Sequence, residues 1–330
     1  LYDMPIYVLA WGVLLAGILQ LLIQISPLLS INRLPVPKLD IKNPGLRKFF
    51  KLILPAILAG GIIQINLLID TIFASLLETG SPTWLYVSDR LIQFPMGIFA
   101  IAIGTILLPT LSNIDLEREK NVFIENIKKG QKFVLFIGIP SLIGLFFCAE
   151  DLISTIFYRG EFTELDVFKS SYSLMAFSIG LPFFMLMKVL TPAFFARKDT
   201  KTPMYVAFIS LVLNAFFNYL LAFVLGFGHV GLAIGSSIAA LISVLILETI
   251  LYKQGFIKIT NMFNRFNFMI LISSAFLIVF LNFYTTKTNF IEFNQIERLF
   301  YLSIEILASI FIYFFIARII NGKSLRTLLN

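Results

Sequence analysis

Apolar residues run along this chain in blocks of about 18–25 between short polar loops, the length at which a helix crosses a hydrocarbon core of about 30 Å. Nine such runs can be marked, at 7–28, 50–77, 84–111, 133–149, 171–195, 205–227, 230–252, 268–284 and 300–320. They are too long for buried strands and too uniformly apolar for half-exposed soluble helices, so each is read as a transmembrane helix. Several carry internal Pro or Gly, among them Pro55, Gly60, Gly61, Pro95, Gly97, Pro109, Pro140 and Pro182. Bundles in lipid tolerate these where neighbours satisfy the freed backbone groups, and transporters use them as kinks. The expected fold class is an all-α integral membrane protein with nine transmembrane helices.

Composition supports a count of spans rather than of soluble domains. Of 330 residues, 58% are hydrophobic and 14% charged, with 36 Phe and a mean hydropathy of +0.90, against roughly 25% charged in soluble domains. The net charge of +7 is spread over loops rather than stacked on one face with interleaved aromatics, so no nucleic-acid partner is expected. Its distribution sets an orientation instead. Twenty Lys and Arg fall in alternate loops and in the tail, and four (Arg159, Lys169, Lys287 and Arg298) on the other side, beside an acidic loop containing Glu150, Asp151, Glu161, Glu164 and Asp166. By the positive-inside rule the chain starts outside the cytoplasm and ends inside it. Residues 114–132 mix acids and bases at helical spacing and are expected to form an amphipathic helix on the cytoplasmic surface. The chain begins at Leu1 without Met, and residues 7–25 lack the basic start and small-residue site of a signal peptide, so this run is taken as an internal helix of a longer protein.

Little in the chain suggests covalent chemistry. Cys148 has no second cysteine and His229 no metal-ligating neighbour, and no Ser/His/Asp set, catalytic carboxylate pair or phosphate loop is visible; an enzyme is not expected. The candidates are instead charged and amide side chains inside apolar runs, where a charge costs about 2.5–3.5 kcal/mol to insert. Asp70 follows Asn66 by four residues, on one helix face, and suits a hard cation, a proton relay or an interhelical hydrogen bond. Arg90, beside Asp89, suits a diphosphate, a structural ion pair or a side chain reaching outward past Tyr86. Asn214 and Asn218 repeat the four-residue spacing, while Gly231, Gly235, Ser236 and Ser237 let helices approach closely. Lys188 lies near the end of its run and can extend toward the interface.

At this point the residues resemble a known family. Residues 64–70 (QINLLID), 81–90 (SPTWLYVSDR), 91–97 (LIQFPMG), 101–112 (IAIGTILLPTLS), 188–203 (KVLTPAFFARKDTKTP) and 228–237 (GHVGLAIGSS) resemble the MurJ/MviN signature, and 10–24 looks like the family's sixth helix. The resemblance implies a fourteen-helix, two-lobe flippase of the multidrug/oligosaccharidyl-lipid/polysaccharide exporter superfamily, of which this chain would supply helices six to fourteen. The implied division is 1–30, the last helix of the first lobe; 31–49, a cytoplasmic linker; 50–254, the second six-helix lobe; and 255–330, two helices forming a groove for a lipid tail. It implies transfer of lipid II, the undecaprenyl-diphosphate-linked peptidoglycan precursor, to the outer leaflet of a bacterial inner membrane by alternating access, with membrane lipids and the cell-wall synthesis machinery as further partners. Arg90 then resembles the cavity arginine that engages the diphosphate. Asp70, Asn214, Asn218 and Ser236, with the Leu232 carbonyl, resemble a sodium site, the one implied cofactor being Na⁺. Asn218 stands where the pattern can carry an acid and Ser236 where it has threonine, which leaves Asp70 as the sole carboxylate. Rival readings are a cation-coupled drug or polysaccharide-lipid exporter on the same fold, which Arg90 disfavours for cationic cargo, and a non-transporting scaffold relative.

Overall fold

A computed structural model describes residues 5–31, 44–257, 265–286 and 290–329. Arg33, Lys38, Lys42, Lys258 and Lys287, which enter the charge asymmetry, and most of the expected linker lie outside these residues. The described chain is helical, with no strand: α1 (Pro5–Ser30), α2 (Pro44–Ser75), α3 (Ser81–Pro95), α4 (Ala102–Ser112), α5 (Lys120–Phe147), α6 (Ala149–Phe157), α7 (Glu164–Phe195), α8 (Lys201–Tyr219), α9 (Gly228–Lys253), α10 (Arg265–Thr285) and α11 (Gln295–Leu329). Two compact units are separated at residue 50, the first holding α1 and the second running from Lys51 onward.

The helical ladder breaks twice, and the first break follows from local chemistry. Pro95 cannot donate a backbone hydrogen bond, and the chain passes at once into a π-helical turn, Met96–Ile101, before α4. A second π turn, Leu220–Val224, ends α8. At the other extreme, α7 starts sharply because Thr163 and Asp166 cap one another: Thr163 N donates to Asp166 Oδ2 at 2.8 Å, and Asp166 N to Thr163 Oγ1 at 3.4 Å.

The second unit is assembled around α7, which packs against α3, α5 and α9, while α8 lies along α9. Small residues set that spacing. A Cβ on Gly180 of α7 would lie 2.9 Å from the Ser237 Cα of α9, and one on Gly231 of α9 would lie 2.7 Å from the Ala222 backbone nitrogen. The main core draws Val87 and Ile92 from α3, Phe123, Ile127 and Val134 from α5, Met185 and Val189 from α7, and Val244 and Leu247 from α9. A second core joins α5 to the α10–α11 hairpin through Phe136, Ile143, Met269, Leu277, Tyr313 and Ala317, and Tyr313 Oη donates to the Phe136 carbonyl at 2.9 Å.

Outside these cores the surface is apolar: Phe94 is 70% exposed, Val279 69%, Ile106 68% and Leu307 67%. A soluble monomer rarely shows such continuous apolar area, whereas a bilayer accepts it. Eight helices among the described residues are long and apolar enough to span a membrane. The remaining marked run, 50–77, lies in α2, where the apolar stretch found among the described residues is Gly60–Ser75. The expected surface helix at 114–132 is also corrected. Residues 114–119 are turns, and from Lys120 the chain is already α5, continuous with its span. Phe123 and Ile127 are fully buried in the core, so the amphipathic face is covered by protein while Glu125, Lys128 and Lys129 remain exposed.

Candidate functional site

The placement of Arg90 starts at Gly80, which takes φ +105°, a left-handed conformation that favours glycine; a Cβ there would also lie 2.6 Å from the Trp84 ring. The tight turn lets Trp84 lie inward. Its Nε1 donates to Asp166 Oδ1 at 2.7 Å, its ring centroid lies 4.8 Å from that of His229, and Lys169 Nζ sits 5.4 Å above it. Lys169 closes the cluster with a 2.6 Å ion pair to Glu78, and His229 Nε2 lies 3.1 Å from the Lys169 carbonyl. One turn on, Ser88 Oγ donates to the Ser170 carbonyl at 2.7 Å. Trp84, Val87, Ser88, Ile92 and Pro95 thus form a buried stripe that fastens α3 to α7 and α9.

The opposite stripe of α3 carries Tyr86, Arg90, Gln93 and Phe94, all exposed. The Arg90 guanidinium carbon stands 4.6 Å from the Tyr86 ring centroid, four residues earlier on the helix. No carboxylate lies within ion-pair distance of it among the described residues; Asp89 accepts a hydrogen bond from Gln93 instead. Of the three readings of Arg90, the structural ion pair is therefore absent from this structure.

The second group of candidates comes together across α2, α8 and α9. Asn218 Nδ2 donates to Asp70 Oδ1 at 2.6 Å and to Asn214 Oδ1 at 2.8 Å, and Asn214 Nδ2 donates to Ser236 Oγ at 2.9 Å. Leu232, one turn before Ser236, is buried with Ala74 of α2 and Ala222. Gly235 makes room for this ladder, since a Cβ there would lie 2.2 Å from Asn218 Oδ1. Asn218 is fully buried and Asn214 nearly so. Two amide oxygens, Asn218 Oδ1 and Asn66 Oδ1, are buried without a hydrogen-bond donor. These and the Asp70 carboxylate are oxygen donors, the kind that hard cations such as Na⁺ accept. The ladder also joins three helices without an ion.

Between α10 and α11 runs a third feature, a groove of about 660 Å³ whose walls, including Phe276, Val279, Phe311 and Phe315, are entirely apolar. Lys188 is exposed on α7 and takes part in none of these groups.

Sequence reasoning passes over several polar groups that the fold brings inside. Glu248 of α9 accepts from Gln131 of α5 at 2.8 Å. Arg298 is buried and donates to the Ser154, Phe290 and Ile291 carbonyls. Glu305 is fully buried on α11, near Asp151 of α6. The signal for Glu305 and Glu248 is the one that singles out Asp70, an acid inside an apolar run; nothing in the sequence marks Asp151, which borders a run.

Membrane-length helices with an apolar outer surface, joined inside by a buried amide ladder, define a multi-pass membrane protein. The family described as "Lipid II flippase MurJ" matches residues 1–319, and the chain belongs to that family. A "Probable lipid II flippase MurJ" of Vibrio cholerae is 42% identical over 259 residues, covering 78% of this chain and 49% of the relative. A "Lipid II flippase MurJ" of Burkholderia cenocepacia is 33% identical over 257 residues, 77% of this chain and 49% of the relative. The chain thus spans about half the length of these curated relatives. Among solved structures, one described as "Lipid II flippase MurJ, inward closed conformation" superposes with a TM-score of 0.70 at 27% identity, covering 91% of this chain and 59% of that one. A structure described as "MATE in complex with MaD3S" shares the fold at a TM-score of 0.52 and 16% identity, covering 82% of this chain and 64% of that one.

Proposed function

We propose that this chain takes part in flipping lipid II from the cytoplasmic to the outer leaflet of the inner membrane, for cell-wall biosynthesis, by alternating access without covalent chemistry. It contributes the second lobe of the carrier, residues 50–254, and a tail-binding helix pair, residues 255–330, with its C-terminus in the cytoplasm. The observation that carries this reading is Arg90: a guanidinium fixed on a well-anchored helix, exposed, and paired with no carboxylate. A diphosphate leaving water needs compensating positive charge, and the guanidinium fork can bind it through two charge-assisted hydrogen bonds. A cationic drug would be repelled there, which counts against an exporter of such cargo.

The prenyl chain would remain in an apolar environment, and the α10–α11 groove is lined entirely by apolar side chains. Asp70, Asn214, Asn218, Ser236 and the Leu232 carbonyl would hold Na⁺, which supplies positive charge linking α2 to α8 and α9 when bound. The cell-wall synthesis machinery would receive the translocated lipid. Substituting Arg90 and measuring lipid II translocation per folded molecule tests the central assignment. Reduced folding with unchanged translocation per folded molecule would place Arg90 in the scaffold instead.

A further inference from the structure

Glu305 lies in the last apolar helix and is fully buried, yet neither of its carboxyl oxygens accepts a hydrogen bond from an N–H or O–H donor. Asp151, in the first turn of α6, is 5% exposed, and its Oδ2 is equally without a donor. The two carboxyls lie within hydrogen-bonding reach of one another, with the Cys148 thiol beside them. Two carboxylates cannot bond to each other, because both are acceptors; a carboxylic acid and a carboxylate can. Nor can two like charges both persist at such depth without a cation. Burial and charge repulsion each remove the doubly ionised state, and one shared proton answers both problems.

The surroundings contain no competing cation among the described residues. The groups facing the pair are Cys148 just past the end of α5, Glu150 on α6 and Tyr284 on α10. Arg298, two turns from Glu305 along α11, commits its donors to three carbonyls and stacks 4.7 Å over the Tyr158 ring. We propose that Asp151 and Glu305 form a proton-binding site, a carboxylic acid–carboxylate pair that latches α11 of the terminal hairpin onto α6. Around it, Gln295 Nε2 donates to the Thr155 carbonyl at 2.8 Å and Arg298 Nη1 to the Ser154 carbonyl at 3.3 Å, so the proton completes a seam already pinned by neutral and cationic donors.

The sign of the pH dependence follows. Burial first, then Glu305 and Glu150, push the Asp151 carboxyl up to about 8. A group whose pKa is raised by folding contributes stability that is complete below its unfolded value. That contribution declines as pH rises and is gone once the folded site deprotonates. The latch is therefore strong in acid and weak above about pH 8.

The test uses the full chain in lipid nanodiscs. Infrared spectra near neutral pH should show the carbonyl stretch of a buried carboxylic acid, lost in both Asp151→Asn and Glu305→Gln. The melting temperature of the wild type should fall by about 5 °C between about pH 6 and pH 9. In either variant an amide N–H donates to the remaining carboxylate at any pH, so that slope should flatten. Should the variants not fold, the wild-type spectrum decides: the band must be present near neutral pH and disappear on raising the pH. Absence of the band, the same slope in wild type and variants, or displacement of the band by Na⁺ at constant pH would overturn the proposal, the last by making the occupant a metal cation.

Discussion

The α8–α9 seam and the outer stripe of α3 both place polar side chains among apolar ones, but they treat them in opposite ways. In the seam, Asn218 spends its amide on Asp70 and Asn214, and Asn214 passes its own to Ser236, inside a contact so close that only glycine fits at position 235. On α3, Arg90 touches a tyrosine ring and nothing of opposite charge. Buried amides bonded in series hold helices together, and removing one strands its partners. An exposed guanidinium has no such bond to lose, so the fold does not require it. Stability should therefore depend on the seam, and transport on the stripe.

The largest effect is expected at Gly235. A valine there would bring a Cβ to 2.2 Å from Asn218 Oδ1 and 3.0 Å from the Asn218 backbone nitrogen, and that backbone cannot turn aside. The variant should be destabilised by about 3 kcal/mol or more and be largely missing from the monodisperse fraction in size-exclusion chromatography. A well-folded variant would show that α8 and α9 are not held at this spacing.

Asn218→Leu comes next. It removes the donor to half-buried Asp70 and to buried Asn214, leaving both acceptors short of a partner, at a cost of about 2–4 kcal/mol read as a lower melting temperature. The same site sharpens the comparison. If the ladder holds Na⁺, replacing choline by Na⁺ should raise the melting temperature of the wild type and not of Asp70→Asn. Equal response of the two proteins would leave the ladder as packing alone.

Smaller still is the effect of Phe315→Ala in the α10–α11 groove. Phe315 is 53% exposed, so its loss should cost under about 1 kcal/mol of stability. Its consequence should appear as weaker retention of a prenyl-diphosphate lipid during purification, and retention equal to wild type would count against the groove as the tail site.

Much of this arrangement was legible in the chain, and its limits have physical reasons. Runs of membrane length locate helices because hydropathy is a local property, and amides inside such runs mark themselves as needing partners. That logic, with the cost of a charge in such a run, reaches Asp70, Asn214 and Asn218, while Ser236 enters with them only through the family resemblance; the fold joins all four. What hydropathy cannot supply is the identity of a partner far away in sequence. Asp151 looks like the start of an acidic loop until α11 lays Glu305 beside it. Phe123 and Ile127 look like the apolar side of a surface helix because their cover, the core around α7 and α9, lies far along the chain. The π turn after Pro95 was foreshadowed by the proline, whereas nothing local marks the one at Leu220–Val224. Arg90 was legible as a charge in an apolar run, but its freedom from Asp89 emerges only once Gln93 is seen to occupy that carboxylate.

The central claim is that Arg90 is a substrate group that the fold does not need. Its most direct test is lipid II translocation by Arg90→Ala and Arg90→Lys in a full-length carrier bearing this chain, normalised to folded protein. The account predicts melting temperatures within about 1 °C of wild type for both variants, as expected for exposed side chains. Translocation should be abolished in the alanine variant and only weakly restored by lysine, which keeps the charge but loses the fork. Normal translocation per folded molecule by Arg90→Ala would contradict it.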